Sequence, residues 1–173
     1  MRFTTRALLA FAVMALTGCA GGITAGPPLP AASGNQDVCH AGGTTYCALN
    51  PTVTDATIGQ TICVRGWTAT VRPSVSYTDA LKRQQLAQFA SQHAGDTGWT
   101  TRGTEEDHRM ALELGGAPSD PSNLSPEVPA SPNPKDHDET TLHDDVCAGR
   151  LSLTAARTQL RDRWLAAWPA YRS

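Results

Sequence analysis

Four cysteines, Cys39, Cys47, Cys63 and Cys147, restrict this chain more than any other feature. An even set in an exported domain of this size argues for two disulfides, and four thiols allow three pairings. We favour Cys39 with Cys47, closing a short loop, and Cys63 with Cys147, tying the first half to the last helices. Zinc is the rival use of these side chains, but the sequence has no C-x-x-C pair, which ranks it lower.

The case for export comes from the N-terminus. "MRFTTR" carries Arg2 and Arg6, and the apolar run "ALLAFAVMA" is too short to span a bilayer comfortably. The run closes on "LTGC", Leu16 to Cys19, which resembles the lipobox read by bacterial lipoprotein signal peptidase. The resemblance implies that Cys19 is acylated and becomes the new N-terminus. An ordinary secretory leader is the alternative, and the small residues just before the cysteine favour lipidation. Residues 20–36, rich in Gly, Pro and Ala and without charge, read as a flexible tether. The folded domain is then expected over residues 37–173, after a signal segment at 1–19.

Charge restricts the partners. Lys and Arg number 14 against 16 Asp and Glu, and two of the basic residues lie in the leader. That balance disfavours sequence-blind clamping of nucleic acid by a broad basic face, but it leaves room for a local patch.

Along the domain the patterns predict a mixed α+β fold. Pro51 and the Ile58/Ile62 spacing predict a short helix, and "GWTATVRP" alternates Trp67, Ala69 and Val71 with polar residues, the period of a half-buried strand. Ser76 is placed to cap a helix running through Phe89, and residues 94–103 read as a loop. "TEEDHRMALEL" reads as a strand, a tight bend and a second strand, bounded by Gly115 and Gly116. The proline-rich segment that follows excludes regular helix. From Lys135 the acids of "KDHDETTLHDDVCAG" sit in the first turn of a helix that stops at Gly149. The last segment places Leu153, Leu160, Trp164 and Trp168 on one side, with Arg157 and Arg161 on a solvated face.

The chemistry concentrates at Asp107 and His108. A hard divalent cation takes oxygen ligands, so Asp107 and an oxygen from the later helix can hold Mg²⁺ over a scissile phosphate. His108, neutral near pH 7, can take a proton from the attacking water. Neighbours on a strand point to opposite faces, so the two can cooperate only where the strand ends or bends. Glu105 and Glu106, taken alone, read as solvent-facing charges.

Residues 61–168 resemble exported bacterial proteins with an HNH-like core, the ββα-metal nuclease fold. The resemblance is carried by "TICVRGWTATVRP", "SYTDALKRQQLA", "EEDHRMALELGGAPSDPSNLSPE", "KDHDETTLHDDVCAGRLSL" and "RDRW", in that order. It implies a small disulfide-bonded α+β domain with a ββα-metal core and flanking helices. It also implies a metal ligand at Asp107, a general base at His108 and a loop-holding amide at Asn123. For the third ligand Asn133, Asp136 and His137 all lie in the right interval, and we favour Asn133. The chain departs from the usual "DHLIPLELGG" and "NLWPE" at Arg109, Met110, Ala111 and Ser125. The expected function is metal-dependent endonuclease activity, with Mg²⁺ or Mn²⁺ as cofactor and DNA rather than RNA as substrate. It would act from the bacterial cell envelope, to which the Cys19 lipid would tether the protein. The alternative is a non-catalytic envelope lipoprotein that keeps the fold for binding or structure.

Overall fold

The computed structural model describes residues 37–41, 44–92 and 98–167. Cys19, the signal and tether segments and Trp168 lie outside the described residues. Both expected disulfides are present. Cys39–Cys47 closes a two-stranded hairpin of β1 (His40–Ala41) and β2 (Thr44–Thr45). Cys63–Cys147 joins the segment before the first helix to the end of the third.

The helices are α1 (Trp67–Val71), α2 (Val75–Gln92), α3 (Pro134–Cys147) and α4 (Leu153–Ala167). A second antiparallel pair, β3 (Glu105–His108) and β4 (Leu124–Glu127), stands between α2 and α3. Among the described residues the fold is therefore α+β, with two small sheets and two disulfides. No helix among the described residues is long and apolar enough to cross a membrane.

Four expectations are corrected. Residues 67–71 form a helix, not a strand. Gly66 at φ +84° opens it, the Thr70 hydroxyl donates to Trp67 O at 2.7 Å, and Pro73 still ends it. Five alternating residues are too few to separate the two periods, and among the described residues no strand pairs with this segment. The partner of β3 is not the segment just after it, which instead makes a 3-10 turn at Leu112–Leu114. Its partner is β4 inside the proline-rich segment, in the register Glu105↔Glu127, Asp107↔Ser125 and His108↔Leu124. Pro126 is tolerated because β4 has only one neighbour. The capping serine of α2 is Ser74, whose hydroxyl accepts from Tyr77 N at 3.3 Å, not Ser76.

The fourth correction concerns α4. Leu153, Leu160 and Trp164 are buried as expected, but so is Arg157, at 0% exposure. Its Nε donates to Leu114 O at 2.7 Å and its NH2 to Val53 O at 3.1 Å. These carbonyls belong to turns, where no ladder satisfies them, so a guanidinium with fixed forked donors does so instead. Burial pushes the Arg157 pKa down to about 10. Arg161 also turns inward, donating to Val38 O at 3.0 Å. The main apolar core lies beneath, built from Val53, Ile62, Met110, Leu114, Leu142, Val146, Leu153 and Leu160 with both disulfide-bearing ends.

Candidate functional site

The site is organised by β3 and the loop that leaves it. Along β3 the pleat sends alternate side chains to opposite faces. Glu105 and Asp107 face the start of α3, where Lys135 and Asp136 lie, while Glu106 feels Lys82 and Arg109 on the other side. Both Glu106 oxygens are buried without a hydrogen bond, and burial pushes its pKa up to about 8.

The loop from Arg109 to Ser122 is held by Asn123, which is fully buried. Its Oδ1 accepts from Met110 N at 2.9 Å, and its Nδ2 donates to Met110 O at 3.0 Å and Ala117 O at 2.9 Å. The two glycines before it have separate reasons. Gly115 has φ +77°, and a side chain there would also strike Val53 and Arg157. Gly116 lies so close to the Met110 carbonyl and the Asn123 amide that any Cβ would overlap them.

His108 is 3% exposed, and its Nε2 lies 2.9 Å from Pro118 O. A carbonyl only accepts, so the proton rests on Nε2 and Nδ1 keeps its lone pair. Burial holds the imidazole pKa below its ordinary value. The residue is therefore a neutral base with a fixed tautomer.

Asp107 is bound twice. Its Oδ1 accepts from His108 N at 2.8 Å and its Oδ2 from Lys135 Nζ at 2.6 Å. Burial alone would raise its pKa, but the adjacent ammonium overrides this and holds it below the usual carboxylate range. Lys135 also donates to Glu139 Oε1 at 2.7 Å and to His108 O at 2.8 Å, and Glu127 Oε2 lies 3.5 Å away. Burial pushes Glu127 up to about 8 and Glu139 up to about 7, with Lys135 opposing in both cases. Sequence reasoning missed Lys135, Glu139 and Glu127. The i, i+4 spacing of Lys135 and Glu139 was a signal, but such pairs usually sit on the surface. Solvent reaches the cluster through Asp107 and Glu139, whose side chains keep 20% and 16% of their exposure.

Asn133 serves another purpose than metal binding. It is the N-cap of α3: its Oδ1 accepts from Lys135 N at 3.0 Å and its Nδ2 donates to Pro129 O at 3.2 Å. Asp136 completes the capping box through its Oδ2, which accepts from Asn133 N at 3.1 Å. His137 is exposed on α3. Among the described residues, Glu105, Asp107 and Asp136 could hold a cation, each with a carboxylate oxygen within 4.8 Å of the others. Glu105 Oε1 is buried without a hydrogen bond, and burial together with Asp107 and Asp136 raises its pKa. Three oxygens of one charge with an unpartnered atom among them suit a hard divalent ion, so the donor set fits.

Against family models, characterised proteins and solved structures, the chain finds no match.

Proposed function

We propose that this protein hydrolyses phosphodiester bonds, most naturally in DNA, with His108 as general base and a divalent metal held by carboxylates of β3 and α3. The observation that carries the reading is the state of His108, a buried neutral imidazole with its proton committed to Pro118 O and a free lone pair on Nδ1. The strand–loop–strand–helix order from β3 to α3, with Asn123 clamping the loop, supports an HNH-like core. Glu105, Asp107 and Asp136 would hold Mg²⁺ or Mn²⁺, which when bound would stabilise charge on the phosphate. Asp107 orients the strand end by accepting from the His108 amide, and Asn123 keeps the following loop from collapsing over it. In the same proposal the protein works from the cell envelope, tethered through an acylated Cys19.

A second reading is non-catalytic, and a specific observation favours it. Lys135 already neutralises Asp107, and the pleat sends the Asp107 side chain to the α3 face and the next residue, His108, to the opposite one. Nicking of supercoiled plasmid with Mg²⁺, with Mn²⁺ and with chelator, by wild type and by His108→Ala, separates the two. Metal-dependent nicking lost in the variant supports the enzyme. No nicking by the wild type under any metal leaves the binding role.

A further inference from the structure

The Lys135 side chain is 3% exposed and its ammonium faces four oxygens. Its three N–H bonds are all used, on Asp107 Oδ2, Glu139 Oε1 and His108 O, at 2.6, 2.7 and 2.8 Å. The fourth oxygen is Glu127 Oε2 at 3.5 Å. Glu127 is 0% exposed, its Oε1 accepts from Trp164 Nε1 at 2.7 Å, and its Oε2 has no hydrogen bond at all. A fully buried carboxylate oxygen thus points into the cage, ion-paired with Lys135 but without a hydrogen bond. Three carboxylates and one carbonyl, drawn from both strands and the helix, form the donor set of a hard-cation site with an ammonium at its centre.

We propose that this cage is a cation site that the chain fills with its own lysine, and that Lys135 is a positioning residue. The ammonium holds the Asp107 carboxylate and the His108 carbonyl at one fixed point, and it restricts any divalent ion to the Glu105–Asp107–Asp136 side. Lysine suits this place because the ammonium is a compact point charge whose donors can turn to meet a rounded cage. A planar guanidinium holds its donors in one fixed fork and does not match so compact and rounded a set of oxygens. Asp107, Glu139 and Glu127 can together carry more negative charge than one ammonium offsets, and a divalent ion in place of Lys135 would favour their ionised forms, so the cage without Lys135 should accept one. The inference does not depend on nuclease activity.

The test is Mn²⁺ binding, followed by electron paramagnetic resonance and calorimetry, in wild type, Lys135→Gln and Lys135→Arg. Wild type should bind at most one ion. Lys135→Gln should bind one more, or bind the first at least ~10-fold more tightly, because a repelling charge has gone. Lys135→Arg should show neither gain. If Lys135→Gln fails to fold, Mn²⁺ or Ca²⁺ should restore its thermal transition. A folded Lys135→Gln with unchanged Mn²⁺ binding overturns the inference, as does an unfolded one that millimolar metal does not rescue. A wild type inert on DNA, together with a gain of metal in the variant, would end the nuclease reading and leave the cage standing.

Discussion

Lys135 Nζ lies 2.6 Å from Asp107 Oδ2, across 28 residues of sequence, and so the carboxylate expected to hold a metal already holds an ammonium. Burying an ammonium is costly, and here it is offset by three carboxylates and a carbonyl. Those partners override burial and hold the Lys135 pKa far above the ordinary lysine value. The pair fastens the first turn of α3 to the end of β3 and so sets the geometry around His108.

Removing this cation leaves buried carboxylates without compensation. Lys135→Ala should lower stability by about 3–5 kcal/mol, the range for a broken buried ion pair. Urea denaturation followed by tryptophan fluorescence measures it. A loss below 1 kcal/mol would mean that the carboxylates find other partners.

Asn123→Ala removes one acceptor and both amide donors from buried loop carbonyls and an amide. The cost should be roughly 2–4 kcal/mol, since groups left unsatisfied each lose their desolvation energy. Amide exchange should show Met110 N as newly unprotected. Protection there equal to wild type would contradict the clamp.

If the protein cleaves DNA, His108→Ala should reduce the rate by ~10²–10⁴-fold, the usual loss for a general base. Metal affinity should barely change. Asp107→Ala should instead weaken Mn²⁺ binding, and excess metal should recover part of the rate. Equal rates for wild type and His108→Ala would assign the activity elsewhere.

Stability should fall as pH rises from about 6.5 to 8. Glu106 and Glu127 have folded pKa values of about 8 against an ordinary 4.5, so in this window the folded state keeps protons that the unfolded chain has released. Each group contributes a slope of at most about 1.4 kcal/mol per pH unit. His108, pushed below its ordinary 6.5, acts in the opposite sense only at lower pH. Gln stands in for the protonated acid, so urea midpoints for wild type and for Glu106→Gln/Glu127→Gln should agree most closely on the acid side and diverge toward pH 8, the wild type falling more steeply than the double variant. A wild-type midpoint that rises toward pH 8 rejects this.

The disulfides span 84 and 8 residues. In the chain-entropy treatment, replacing Cys63 and Cys147 by Ala should cost about 4.5 kcal/mol, and replacing Cys39 and Cys47 about 2.5 kcal/mol. Denaturation of the two double variants gives the order directly. The short loop proving the costlier loss would show that native contacts, not loop closure, dominate.

Much of this fold is legible along the chain. The span of α2, the start of α3 near Lys135, the buried leucines of α4 and the turn at Gly115 and Gly116 follow from the residues nearby, while the cysteines left three pairings, of which the favoured one is present. Caps, periods and tight turns act over a few positions, so a linear string records them. Residues 67–71 misled because alternation over five residues fits either period. The second strand was misplaced because its pairing depends on which segment the Asn123 loop returns, and that loop is closed by tertiary hydrogen bonds.

What the string could not express is which charges go inside. Arg157 reads as a solvent-facing helical arginine until Val53, 104 residues earlier, presents its carbonyl. Asn133 reads as a possible ligand until the helix beginning at Pro134 takes it as a cap. Lys135 reads as one more surface lysine until β3, β4 and α3 bring Asp107, Glu127 and Glu139 around it. A buried charge is stable only through its partners. Those partners are distant in sequence and adjacent only after folding, so local pattern settled the scaffold while packing chose the site.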